Sequence, residues 1–127
     1  MDFKRFLQVQ FAAFVLFGLA FMLIPTPVLE GIYQVDDAGD TAWVRLLGAT
    51  LLGVGYLEWL VLSNLDGNIA IARAFVGVPL LLTLVLIYTL IAGTDVYNAF
   101  FNWSSAAITT FFAGGHLWFA RSTTSVG

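Results

Sequence analysis

The sequence predicts an all-α integral membrane protein, a four-helix up-down-up-down bundle with its N- and C-terminal ends in the cytoplasm. Three observations lead there. Hydrophobic residues make up 60% of the 127 residues and charged residues only 10%. A soluble domain carries about a quarter charged residues, so this pool does not supply a water-facing surface. The apolar residues also fall in four blocks of about 20, the length that crosses a hydrocarbon core of ~30 Å. Finally, the basic residues gather on one side of a four-span layout.

The first span is expected over 6–24. Lys4 and Arg5 precede it, and Pro25 and Pro27 end it, because proline lacks the amide a helix needs and restricts the residue before it. A cleaved signal peptide is the other reading of this stretch, but it is long for one and no A-x-A-like site follows. Val28 to Tyr33 is apolar enough to lie along the interface. Val35 to Asp40 reads as a solvated turn. The second span is expected over 42–62, with Trp43 and Trp59 towards opposite ends, where indole rings favour the headgroup level. Ser63 to Asn68 is a turn by composition. The third span is expected over 69–92. Pro79 sits inside it and predicts a kink rather than a break, since neighbouring helices can re-satisfy the freed carbonyl. Gly93-Thr94-Asp95 closes it. The fourth span is expected over 97–119, with Trp103 and Trp118 near its ends.

Lys4, Arg5, Arg73 and Arg121 share one side of this layout, and only Arg45 falls on the other. The positive-inside rule therefore places both termini in the cytoplasm and turns Glu30, Asp36, Asp37, Asp40 and Asp95 outward. Short connections make consecutive helices antiparallel neighbours.

Helix association in lipid depends on close packing and polar contacts. The second span offers Gly48, Ala49, Gly53 and Gly55, with Ala49 and Gly53 as a small-xxx-small pair. The fourth offers Ala106, Thr110 and Gly114. Both series suit packing within the chain or a dimer seam. Asn102, Ser105, Thr109, Ala113 and His116 share one arc of the fourth helix, and this stripe should face other helices or a wet cavity. The third span from Leu80 to Leu90 is nearly featureless and should show the most surface to lipid or a partner.

The candidate site residues are Glu58, Arg73, His116, Thr109 and Asn102. Glu58, Arg73 and His116 lie near the inner ends of three spans, where they could meet on one level, with a Glu58–Arg73 pair across the short turn. One reading is a proton-responsive or anion-binding site, since intramembrane ionisable groups are functional candidates and histidine changes charge near neutral pH. The other is an interfacial ion pair beside a histidine bonded to backbone. Arg45 is the exception to the charge rule. It reads as a snorkelling residue clamping the acidic outer loop, with Asp40 or another outer acid as partner, or as an anion or headgroup contact. Arg45 and Glu58 are roughly 20 Å apart along one helix and point about 140° apart, so they form separate sites.

Several chemistries are disfavoured. The chain has no cysteine and one histidine, which removes thiolate sites and makes a transition-metal centre or paired haem ligation improbable. The outer acids lack the spacing of a calcium-binding loop. No Walker loop occurs, and Gly53-Val54-Gly55 lies inside an apolar span. Serines occur without a readable histidine–acid arrangement. No basic run suggests nucleic acid.

The second span reads WVRLLGATLLGVGYLEWL from Trp43 to Leu60. It resembles a pattern of small four-helix bacterial inner-membrane proteins of uncharacterised, DoxX-like families. The resemblance covers one span well and the layout loosely. It implies a bacterial membrane bundle and carries over no activity. Two transporter families fit less well. The first span lacks the embedded acid of small multidrug transporters, and the glycine–arginine motif of fluoride channels is missing.

The expectation is therefore a non-enzymatic protein of the inner (plasma) membrane without a cofactor. It would be an accessory or scaffold subunit or a lipophilic-ligand-binding bundle. Its partners would be membrane lipids, a larger membrane complex or a second copy, and not nucleic acid. The alternative is a small transporter or channel with a polar pathway along the fourth helix, from Asn102 to His116.

Overall fold

The computed structural model describes residues 2–92 and 99–122. The described elements are helices and turns, with no strand among them. Gly93, Thr94, Asp95 and Tyr97, expected to end the third span and begin the fourth, lie outside the described residues.

Helix α1 spans Phe3–Leu23. Asp2 caps it, its Oδ1 accepting the Arg5 amide at 2.8 Å, which satisfies one of the donors orphaned at a helix start. After the prolines the chain stays helical. A helical turn at Pro25–Pro27 leads into a wider turn at Val28–Ile32, and Pro25, Val28 and Leu29 are buried. Apolar residues this close to the helix ends gain more by turning inward than by facing headgroups. The acidic stretch that follows folds on itself: Glu30 accepts the Ala38 amide, Asp37 the Gly39 amide and Asp40 the Ala42 amide.

Helix α2 spans Ala42–Ser63 and packs along α1. Its buried residues Val44, Gly48, Leu51, Gly55 and Glu58 recur every three or four positions, the spacing of one helical face. The α1 residues Leu7, Gln10, Phe14 and Gly18 do the same. The two stripes meet. A Cβ added to Gly48 would lie 2.7 Å from the Gly18 carbonyl oxygen and from the Met22 amide, whereas one on Gly55 would meet Phe14 and Val15. The helices are therefore antiparallel, and their closest approach is at Gly18 and Gly48. The expected Ala49–Gly53 pair is not the contact. Both residues are exposed, and Gly53 has nothing within 4 Å of a built Cβ. The heptad-like face selects the glycines at 48 and 55 because those share the stripe with Val44 and Leu51.

After the turn at Asp66–Asn68 the third run divides into α3, Ile69–Ala74, and α4, Gly77–Ala92. The sequence suggested a kink at Pro79; the structure tightens the chain four residues earlier. A proline ring collides with the carbonyl four positions back, here that of Phe75. That carbonyl accepts the Val78 amide instead, and the Arg73 carbonyl accepts Val76. Of the three apolar runs, this one buries the least of itself, as its featureless outer face suggested.

Helix α5 spans Ala99–Ser122 and packs mainly on α4. Among the described residues three helical runs, Phe3–Leu23, Ala42–Ser63 and Asp66–Ala92, are long and apolar enough to cross a membrane. Helix α5 is as long, but its stripe of hydroxyl and amide side chains makes it less apolar. The α1–α2 and α4–α5 pairs touch thinly. Their main junction is an aromatic cluster in which Phe6 meets Phe112, His116 and Phe119. The Ala106–Thr110–Gly114 series does not make this junction, since Thr110 and Gly114 are exposed. Gly115 makes it, with its backbone against the Phe6 ring.

Candidate functional site

Because the two helix pairs join at one end, they stand apart at the other. A cavity of about 630 Å³ fills the gap, within the ~300–1,000 Å³ range of small-molecule sites. Phe14, Phe17 and Phe21 of α1 and Leu47 and Leu51 of α2 form one wall; Leu82, Val85 and Leu86 of α4 form another. Asn102, Ser105 and Thr109 of α5 run down a third wall. The polar stripe read from the sequence thus faces the interior, and its upper half lines the cavity. Tyr33, Asp37, Ala38 and Trp43 line the mouth, beside the α1–α2 connection. The deep end closes on Phe112, which packs against Phe6 at 5.9 Å between ring centroids.

Beyond that aromatic plug lies a second polar group. His116 is 3% exposed, and Gln10 and Glu58 are fully buried. His116 Nε2 donates to Gln10 Oε1 at 2.7 Å. The imidazole stands edge-on to Phe6 and Phe3. Glu58 occupies the α2 stripe between Gly55, which meets Phe14, and Val61, which packs in the cluster of Phe6 and Leu7. The antiparallel register therefore puts Glu58 level with Gln10. Neither carboxylate oxygen of Glu58 accepts a hydrogen bond.

The candidates consequently divide. Asn102 and Thr109 face the cavity, while Glu58 and His116 are sealed below it. Arg73 is half-buried on α3 and gives Glu58 no hydrogen bond. Gln10 was missed by the sequence reading. Its signal was an amide in an apolar run, on the same face as Leu7, Phe14 and Gly18.

Arg45 has a different partner from the acids expected for it. Its Nη1 donates to the Met22 carbonyl at 2.7 Å. Met22 lies in the last turn of α1, where carbonyls lack partners within the helix and the helix dipole is negative. The cation thus tethers the end of α1 to the start of α2. Among the described residues no three histidine, aspartate or glutamate side chains group to hold a metal ion.

Comparisons with protein-family models, curated proteins and solved structures returned no match. The reading of function therefore rests on the site itself.

Proposed function

We propose that the chain is a non-enzymatic, four-span inner-membrane protein, with both ends in the cytoplasm, that holds a lipophilic molecule between its helix pairs. The observation that carries this reading is the cavity, large, mainly apolar and lined on one side by Asn102, Ser105 and Thr109. Such a wall binds the body of a ligand by area and orients it by a few hydrogen bonds. The orientation rests on four basic residues against one. The fourth crossing rests on the length of α5 and on its polar stripe turning inward, away from lipid. An accessory role in a larger membrane complex fits the same architecture, since α4 offers Leu81, Leu84, Tyr88 and Ile91 on an exposed face.

The alternative, a transporter or channel along α5, draws support from the same stripe. Against it, the polar members of the stripe that line the cavity are Asn102, Ser105 and Thr109, and the Phe6–Phe112 packing separates them from His116. Two experiments test these readings. Native mass spectrometry after mild extraction should find a retained lipophile, and Ser105→Trp, which places an indole in the cavity, should abolish its retention. A chain that carries none, and takes up no neutral lipophilic probe in nanodiscs, would overturn the binding reading. Ion or solute flux in proteoliposomes that His116→Ala and Thr109→Val remove would favour transport.

A further inference from the structure

We infer that the cavity selects an amphiphile with an apolar body and a cationic ammonium head, the head resting at the mouth beside Asp37, Tyr33 and Trp43. The inference rests on the ligand-binding reading above and specifies its chemistry. The mouth is formed by the connection between α1 and α2, which carries Glu30, Asp36, Asp37 and Asp40 and no basic residue from Ile24 to Val44. The nearest basic side chain, Arg45, donates to the Met22 carbonyl and keeps its charge, which leaves four carboxylates against one cation. The potential at the entrance is therefore negative, and it favours cations over anions on approach and at rest.

Asp37 supplies the specific contact. It lines the cavity, and its Oδ1 is turned into the loop by the Gly39 amide at 2.9 Å. That bond engages one carboxylate oxygen within the loop. Tyr33 and Trp43 bring two aromatic rings to the same mouth. A carboxylate beside aromatic rings is the chemistry that recognises ammonium groups, through charge and through the ring quadrupole. Below the mouth the aliphatic and phenyl walls, suited to an alkyl chain, face the uncharged polar wall of Asn102, Ser105 and Thr109, and no charged residue lines the cavity there. An anionic amphiphile of equal length would fill the same space with its head against the acids.

The test uses the full chain in nanodiscs, with lipid-only discs subtracted, and three probes sharing one chain: decyltrimethylammonium, decanol and decanoate. All three should bind in competition, with the ammonium about tenfold tighter than decanoate and decanol between them. Asp37→Asn should weaken the ammonium about tenfold and leave decanol unchanged, and the ammonium preference should shrink as salt rises. If decanol binds and decanoate binds as well as the ammonium, the charge selection is wrong while the cavity reading survives. If the preference persists in Asp37→Asn, the placement of the head is wrong. If no probe binds above the lipid-only discs, the ligand-binding reading itself fails.

Discussion

Gly48→Ala should open the α1–α2 seam, and the structure sets the scale of the effect. The new methyl would lie 2.7 Å from the Gly18 oxygen and the Met22 nitrogen, and 3.1 Å from the Phe21 carbonyl carbon. All three are backbone atoms, so no rotamer change relieves the overlap. The helices must part by about 0.7 Å, the shortfall between 2.7 Å and the 3.4 Å where ordinary contact begins. Overpacking of this kind costs about 1–3 kcal/mol. Alanine also favours the helix over glycine by roughly 0.5–1 kcal/mol, which blurs a single measurement. Gly53→Ala supplies the correction. It makes the same change on the same helix with nothing within 4 Å, so the difference between the two variants isolates the clash. Unfolding titrations in mixed micelles, followed by the fluorescence of Trp43 and Trp59 on α2, should place Gly48→Ala about 1–3 kcal/mol below Gly53→Ala. Equal stabilities would refute the register derived for the two helices.

Other perturbations address the remaining contacts. Glu58→Leu should stabilise the chain by about 1–3 kcal/mol, because it removes a buried carboxylate without a hydrogen-bond partner; destabilisation in the same titration would mean that Glu58 has a partner. A double-mutant cycle of Gln10→Leu and His116→Phe should give a coupling of about 1 kcal/mol, the net worth of one buried hydrogen bond, and a coupling near zero would contradict the bond. Gly115→Ala should destabilise by about 1–3 kcal/mol, because Phe6 is enclosed by Phe112, His116 and Phe119 and has no room to swing aside. Arg45→Ala should cost about 0.5–1.5 kcal/mol and speed amide exchange at the end of α1, whereas unchanged exchange there would count against the tether.

Much of the fold was legible one helix at a time. Among the described residues the first two apolar blocks gave helices with ends within a few residues of those expected, and the other two gave mainly helix, because an apolar stretch has few other ways to satisfy its backbone. Pro25, Pro27 and the turn after Ser63 marked boundaries through local chemistry alone. The α5 stripe was visible for the same reason, since the helical period fixes which side chains share a face. Pro79 was half legible: the distortion was expected, but its displacement to Phe75 and Val76 follows from a clash with a carbonyl one turn away.

What the sequence by itself determined is therefore the helices, their apolar faces and the polar stripe of α5, all set by short-range periodicity. Only the tertiary structure decided which glycines meet, since a small residue shows that close approach is possible without naming the backbone that makes it. The partners of buried polar groups were decided the same way. Gln10 and His116 are separated by 106 positions, and Arg45 found a backbone carbonyl, which no pattern of charges reveals. The cavity is the clearest case. It exists because the Phe6 cluster joins the helix pairs at one end and leaves them apart at the other, and that spacing is a property of no single helix.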